Sequence, residues 1–188
     1  VGSEMCIRDR RKSTVEEAWP GDIVGLPDNG IFKIGDTLTE GDMLHFRGLP
    51  SFSPELFKYI ENDDPMKSKQ FQKGLEQLMN EGVAQLFVNQ FNNRRIVGTV
   101  GQLQFEVIQY RLEHEYNARC RWEPVHLHKA CWIEADSEEE LERFKKRKYQ
   151  YMAKDIEGRD VFLADSGYVL SMAQQDFEHV KFHFTSEF

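Results

Sequence analysis

The chain has 188 residues, of which 40% are hydrophobic and 30% are charged, and its formal net charge at pH 7 is -8. This length allows a sizeable core. A mean hydropathy of -0.61, without any run of about 18 apolar residues, excludes a membrane-spanning protein and predicts a soluble one. The acidic balance argues against a surface that binds nucleic acid throughout, although it allows a local basic patch.

The three cysteines, Cys6, Cys120 and Cys131, are an odd and sparse set without a C-x-x-C spacing. Such a set does not support a disulfide scaffold and is typical of a reducing compartment. We therefore expect a cytoplasmic protein.

The first part of the chain divides in two. Residues 1–12 lack the apolar core and cleavage site of a secretory signal, and we expect them to be extraneous or disordered. Residues 13–47 contain glycines and short apolar–polar alternations, which are typical of short strands and turns.

A strand and a helix are predicted next. Alternation over residues 56–60 indicates the strand. Asp64 is a natural N-cap, Pro65 a natural first helical residue, and Gly82 a natural left-handed stop. The helix between them has one apolar stripe with helical spacing, made of Phe71, Leu75, Leu78 and Met79.

A hairpin, a second helix and a fourth strand follow. Strands are predicted over residues 83–91 and 94–100, with the turn at Asn92-Asn93 between them. The second helix is predicted to end at Asn117 and to bury Leu103, Val107, Ile108 and Leu112. A strand over residues 119–123 completes a βαββαβ order, which is that of a ferredoxin-like split unit.

The remaining residues repeat this rhythm more loosely. A strand over residues 126–135 precedes a capping box of Ser137 and Glu140, and the helix that it opens is predicted to continue to about Lys154. Strands are predicted over residues 161–164, 168–170 and 180–184, with a short helix over 174–177. The predicted class is α/β (α+β), a ferredoxin-like unit with a further α/β extension. Local patterns do not fix the sheet order of this second half.

Gly98 and Gly101 lie between a predicted strand and a predicted helix. Glycines there let the backbone pass from a sheet into a helix in close contact. We therefore expect both to be structural, and replacement of either by valine to destabilise the fold. A GXXG loop of the KH type is the alternative, but that loop joins two helices and grips nucleic acid, and basic flanking residues are missing here.

Two sets of segments carry a family resemblance. Residues 74–87, 96–107 and 110–117 resemble the third domain of peptide chain release factor 3, the class II release factors, which are translational GTPases related to elongation factor G. Residues 16–26 and 29–38 resemble the end of the β-barrel second domain of translational GTPases. The order and spacing of these segments follow the family.

The resemblance implies a division into domains. Residues 13–47 would be the remnant of the β-barrel domain, with Pro20 and Gly21 in a turn between strands, and residues 48–188 would be the release factor C-terminal α/β domain. A barrel that lacks its first strands would expose a set of apolar residues, namely Ile23, Val24, Ile31, Phe32 and Ile34.

The resemblance also implies that this part of the protein has a non-catalytic function. The sequence has no phosphate-binding G-x-x-x-x-G-K-[ST] loop and no G-x-S-x-G, H-E-x-x-H or G-x-G-x-x-G motif, so we expect no catalytic residue, cofactor site or metal site here. The family uses GTP and magnesium in a separate GTPase domain to promote dissociation of class I release factors from the ribosome. The implied partners are the ribosome, class I release factors indirectly and the protein's own GTPase domain, with no membrane and no DNA.

Two segments are candidates for contact with the ribosome. Asn92, Asn93, Arg94 and Arg95 form a predicted hairpin tip, and tips are frequent contact sites. The basic run that includes Lys145, Lys146 and Arg147 could bind phosphates. Each segment also has a simpler interpretation, because the tip is an ordinary solvated turn and the basic run complements a helix macrodipole.

A zinc site at His126, His128 and Cys131 is not expected. On a strand the two histidines share one face and the cysteine points to the other, so the three residues cannot easily share one ion.

Two other hypotheses remain open. The chain could be a fragment of elongation factor G or of a ribosomal protection protein, which continue into further domains. It could also be a free-standing ferredoxin-like enzyme or RNA-binding domain. The last hypothesis predicts a cleft with titratable groups or aromatic side chains on the sheet face, where Phe87, Phe91 and Trp122 are the candidates.

Overall fold

A computed structural model describes residues 3–6, 12–27, 36–42 and 53–185. The chain divides into two units, Val1–Asp36 and Thr37–Phe188. The expected exposure of Ile31, Phe32 and Ile34 falls outside the described residues, as does the boundary between residues 47 and 48. The domain limits given above therefore stay predictions.

The first unit contains a strand pair and a tight turn. Strand β1 (Ser3–Cys6) is antiparallel to strand β2 (Lys12–Val15). The turn is closed by the Asp22 amide, which donates to the Trp19 carbonyl at 2.9 Å, and Gly21 has a φ of 99°. This is the turn expected at Pro20-Gly21, because a positive φ favours glycine. Ile23 is 85% exposed, as expected, whereas Val24 is half-buried.

Among residues 53–185, the second unit contains eight strands and four helices. In chain order these are β3 (Leu56–Asn62), α1 (Ser68–Asn80), β4 (Gln85–Asn89), β5 (Arg95–Thr99), α2 (Gln102–Tyr116), β6 (Cys120–Pro124), β7 (Lys129–Ala135), α3 (Glu138–Arg147), β8 (Met152–Asp155), β9 (Asp160–Ala164), α4 (Gly167–Asp176) and β10 (Val180–His183). Single 3-10 turns lie at Pro65–Lys67 and Tyr149–Tyr151.

The eight strands form one antiparallel sheet in the order β10-β7-β9-β8-β4-β5-β3-β6. The first half, β3 to β6, is the predicted ferredoxin-like βαββαβ unit. The second half, β7 to β10, has the same βαββαβ order. Its strands are also arranged in the same way: outward from the β8–β4 pair they are β8, β9, β7 and β10, and those of the first half are β4, β5, β3 and β6. The extension is therefore a second ferredoxin-like unit in the same sheet.

The elements of the second half differ from the prediction in two places. The helix that begins after Ser137 ends at Arg147, well before Lys154, and β8 follows. Residues 168–170 are the first turns of α4 and not a strand. The reason is a cap: the Ser166 hydroxyl accepts the Val169 amide at 3.3 Å and starts the helix there.

The two halves join where β4 pairs with β8, with Phe87 opposite Asp155 and Asn89 opposite Ala153. The Gln90 amide extends the ladder by donating to the Met152 carbonyl at 2.8 Å. We call this pairing the seam.

The helices cover one face of each half. Helices α1 and α2 pack on the first half around Phe71, Leu78, Val97, Phe105 and Ile108. Helices α3 and α4 pack on the second half around Cys131, Phe144, Phe162, Leu170 and Ala173. The side chains alternate between the two sheet faces, as the pleat of a strand requires.

The face without helices is also buried. Phe57, Phe87 and Trp132 lie there in one cluster that draws residues from both halves. The Ala130 amide donates to the Ser53 hydroxyl at 3.2 Å, so the start of β7 touches the segment before β3 although β9, β8, β4 and β5 separate them in the sheet. The sheet is therefore curled, with its helix-free face inside.

The glycines of the strand-to-helix segment differ in their importance. A Cβ added at Gly98 would lie 2.5 Å from Cγ of Pro54, so close packing requires glycine there. A Cβ at Gly101 would meet nothing within 4 Å, and its φ is -138°. The expectation that Gly101 is also required for packing is therefore not met. A glycine not singled out from the sequence, Gly74, lets α1 approach Tyr116 of α2, where a Cβ would lie at 2.6 Å.

Helix α2 is rotated from the prediction. It buries Phe105, Ile108 and Leu112, whereas Leu103 is 68% and Val107 39% exposed. The rotation is set by Gln104, whose side-chain oxygen accepts the amides of residues 100 and 101 and whose amide group donates to the residue 83 carbonyl at 2.9 Å. Because this contact holds the first turn, Phe105 enters the core.

Replacement of Gly98 by alanine should lower the free energy of unfolding by about 1–3 kcal/mol, since the new methyl group overpacks the contact with Pro54. The matched control is Gly101→Ala, which should change it by less than about 0.5 kcal/mol because that site is open. Urea unfolding followed by tryptophan fluorescence measures both values. Equal destabilisation by the two variants would contradict the packing account.

Candidate functional site

The hairpin that carries the first predicted contact segment touches the residues that follow the second segment. The hairpin tip lies between β4 and β5, and the basic run ends α3, more than 50 residues later. The Tyr149 hydroxyl donates to the Gln90 carbonyl at 2.9 Å. The rings of Phe91 and Tyr149 meet edge to face with centroids 6.0 Å apart. Thus the 3-10 turn that follows α3 contacts the hairpin, and two segments distant in sequence contribute to one surface.

We call this region the hairpin–helix surface, defined by Phe91, Asn92, Asn93, Lys146, Arg147 and Tyr149. All six residues are exposed, with Phe91 exposed by 64% and Tyr149 by 48%. The surface therefore combines two exposed aromatic rings with two exposed cations.

Buried Asn89 shapes the hairpin tip. Its side-chain oxygen accepts the Phe91 amide at 2.9 Å and the Asn92 amide at 3.2 Å. Its amide group donates to the Gln150 carbonyl at 3.3 Å, which ties the tip to the residues before β8. Asn93 has a φ of 55°, a left-handed conformation that asparagine tolerates. The tip is therefore a fixed shape and not a loose loop.

Sequence reasoning did not single out Asn89 or Tyr149. Asparagine after an apolar strand is a turn signal, but its buried contact with Gln150 depends on the seam, which is not visible in the sequence. Phe91 was singled out only as an aromatic candidate for a sheet face, and in the structure it lies at the tip.

Arg94 turns back across the sheet. Its guanidinium donates to Glu61 at 2.7 Å and also to Glu123, and it lies 3.7 Å from the ring centroid of Tyr59. Hydrogen bonds from Arg121 and then Arg94 lower the pKa of the Glu61 carboxyl. The charge of Arg94 is therefore shared with carboxylates of its own chain, and Arg95 is half-buried. A ribosomal contact by either arginine stays a prediction.

Lys145 is held within the fold. Its ammonium lies 2.9 Å from Asp160 and 3.0 Å from Glu142. Burial opposes the charged form of Asp160, but Lys154 and Lys145 outweigh it and lower the pKa of this carboxyl. In contrast, Lys146 and Arg147 are exposed on the last turn of α3. Of the predicted basic residues, these two are the ones that face solvent.

Helix α3 separates its charges along its axis. Ser137 caps its start by accepting the Glu140 amide at 3.3 Å. The first turn carries Glu138, Glu139 and Glu140, and the last carries Lys145, Lys146 and Arg147. This arrangement complements the helix macrodipole, and it places the positive end of the helix beside the hairpin.

The two thiols that the structure describes, those of Cys120 and Cys131, are not activated. Burial raises the pKa of the Cys131 thiol to about 12 and that of Cys120 to about 11, so both stay protonated at neutral pH. In the described part of the chain, no three His, Cys, Asp or Glu residues are grouped to hold a metal ion. None of the helices there is long and apolar enough to cross a membrane.

The aromatic residues proposed for a nucleic-acid-binding sheet face are dispersed. Phe87 is fully buried inside the curled sheet. Trp122 packs edge to face on Phe105, with centroids 5.0 Å apart. With Phe91 at the hairpin tip, these three rings do not form a stacking platform.

Comparison with known families gives two matches. Residues 46–174 match the family model of class II release factor RF3, C-terminal domain, and residues 1–41 match that of elongation factor G domain 2. The two matches together include nearly all of the chain and follow one another in the order expected from the sequence.

A solved crystal structure of a protein from Thermus thermophilus resembles this chain with a TM-score of 0.54 and 17% sequence identity. The likeness covers 72% of this chain but only 22% of that protein, so it supports the fold alone.

Replacement of Lys145 by alanine should lower the free energy of unfolding by about 1 kcal/mol at pH 7, because Asp160 loses a charge-assisted hydrogen bond. The loss should shrink as the pH falls through the lowered pKa of folded Asp160, since a protonated carboxyl no longer needs the ammonium. Urea unfolding at pH 7 and at acidic pH tests this. The control, Lys146→Ala, should be neutral, and an equal loss from both variants would contradict the assignment.

Proposed function

We propose, from the premise that this chain belongs to the class II release factor RF3 C-terminal domain family, that it is the docking part of a translation factor. Both matched families are parts of translational GTPases other than the GTPase domain. In the whole factor, GTP bound elsewhere would drive dissociation of class I release factors from the ribosome. The part described here would hold the factor on the ribosome.

The observation that carries this proposal is the hairpin–helix surface. Lys146 and Arg147 can bind phosphates, whose neutralisation releases counterions and favours binding. Phe91 and Tyr149 offer ring faces and edges on which unpaired bases of ribosomal RNA can stack. Contact with RNA therefore suits this surface better than contact with an apolar protein.

The rigid fold suits a mechanical role. A factor that responds to its nucleotide must transmit a change from the GTPase domain to the ribosome, and it does so through bodies that move as units. The seam and the curled sheet make the two ferredoxin-like units one such body. The partners in this role would be the ribosome and the factor's own GTPase domain, with class I release factors affected indirectly. GTP and magnesium would stay in the GTPase domain.

The double variant Lys146→Ala/Arg147→Ala should weaken ribosome binding about tenfold at moderate salt. The loss of two phosphate contacts should also reduce the slope of log affinity against log salt by about 1.5. Co-sedimentation with ribosomes over a salt series measures both effects. The matched control Lys69→Ala/Lys73→Ala removes the same charge from the exposed side of α1 and should change neither.

An aromatic variant separates stacking from charge. Phe91→Ala should also weaken binding about tenfold, since loss of one stacked base costs about 1–3 kcal/mol, but it should leave the salt slope unchanged. Met66→Ala, at an apolar residue that is 91% exposed elsewhere, is its control. This surface would not be the ribosomal contact if the wild-type chain bound and both Lys146→Ala/Arg147→Ala and Phe91→Ala bound equally well.

A further inference from the structure

Helix α2 has a second apolar face that points to solvent. Val100 is 71% exposed, Leu103 68%, Val107 39% and Tyr110 62%. The spacing of Leu103, Val107 and Tyr110 places them on one side of α2, and Val100 lies just before the helix begins. His114 extends this side by one turn, with its ring stacked on Tyr110 at 4.0 Å. We call these residues the outer face of α2.

The outer face differs from the exposed sides of α1 and α3. The exposed side of α1 carries lysines, glutamines and one glutamate, and that of α3 is almost entirely charged. A stripe of three apolar residues on one helix, with Val100 just before it, is larger than the single exposed apolar residues that soluble proteins tolerate. The stripe is therefore a candidate contact surface.

The outer face is held rigidly. Gln104 fixes the first turn of α2 through its hydrogen bonds with residues 83, 100 and 101. Near the other end, the contact between Gly74 and Tyr116 locks α2 against α1. A partner would therefore meet a preformed helix side and would not have to order it first.

The rim of the outer face is acidic. One flank carries Glu106 and Glu113, both exposed. On the other flank, Arg111 is shared between Glu81 and Glu115. Arg119 is also engaged, since it lies 3.2 Å from Glu113. Both arginines beside the face are thus already paired with a carboxylate of the same chain. Glu106 has no ion-pair partner among the described residues, so the rim keeps a negative charge.

This charge pattern selects the occupant. Nucleic acid is disfavoured because its phosphates would meet carboxylates. A second copy is disfavoured because a two-fold contact brings the same surface from both molecules together, and acidic rims would face each other. We propose that the outer face of α2 binds a protein segment with apolar side chains flanked by lysine or arginine, in the manner of an amphipathic helix laid along it.

The inference rests on a different surface from the hairpin–helix surface and does not depend on ribosome binding. Its test uses the 188-residue chain, labelled with nitrogen-15, and two synthetic helical peptides of about five turns with the same leucine face. One peptide carries lysine on both flanks and the other glutamate. Nuclear magnetic resonance titration reports affinity and location. The lysine peptide should bind at least tenfold more tightly and shift the amide signals of α2.

Variants identify the surface. Leu103→Ser/Val107→Ser should weaken binding of the lysine peptide at least tenfold without lowering the melting temperature, because both side chains are exposed. The control Met66→Ser/Tyr168→Ser changes two residues that are 91% and 74% exposed elsewhere and should bind normally. Glu106→Lys/Glu113→Lys should reverse the preference, so that the glutamate peptide binds more tightly.

Four results would overturn the proposal. They are the absence of binding by the lysine peptide, equal or tighter binding of the glutamate peptide by the wild-type chain, shifts of the α2 signals by a single-stranded oligouridine, and a concentration-dependent dimer that Leu103→Ser/Val107→Ser abolishes. The third would identify nucleic acid as the occupant, and the fourth a second copy of this chain.

Discussion

The pairing of β4 with β8 is the constraint on which the rest of the second unit depends. It places Phe87 opposite Asp155 and thereby joins two four-stranded sheets into one. Within the second half, Asp155 is held in place because its carboxylate accepts the Trp132 indole N–H at 2.9 Å and the Arg159 side chain at 2.8 Å. These hydrogen bonds replace the hydration that the buried carboxylate loses, and they fix β8 at the edge of the second half that meets β4.

The curled sheet follows from that joint. Each ferredoxin-like unit covers one face of its strands with two helices and would leave the other face open to water. Because the halves are continuous and the sheet curls, Phe57, Phe87 and Trp132 fill a shared interior and each unit protects the other. The outer surface is then divided. The first half, β3 to β6, exposes the apolar side of α2 to water, and the second half, β7 to β10, exposes the charged side of α3. The hairpin–helix surface lies where these two halves meet.

Local structure could be predicted from the sequence, and long-range pairing could not. Helix ends depend on backbone geometry within a few residues. Asp64 caps the 3-10 turn that leads into α1, and Gly82 and Asn117 take the left-handed conformation after α1 and α2. The rotation of α2 depends on one contact of Gln104 with residue 83. The sequence pattern alone does not show this contact, and it favours a buried face that includes Leu103. Likewise, the positions of Tyr149 and Asn89 follow from the seam, which joins residues more than 60 positions apart. The proposed site therefore became visible only in three dimensions.

The measurement that tests this account most directly is native-state hydrogen exchange of the β4 and β8 amides over a range of low denaturant concentrations. If the two ferredoxin-like units form one body, these amides should exchange through the same opening as those of β5 and β9, with free energies within about 1 kcal/mol and the same denaturant dependence. A seam that opens at a much lower free energy, while both halves stay protected, would mean two separate bodies. That result would contradict the account in which the hairpin–helix surface is a rigid surface at the junction of the two halves.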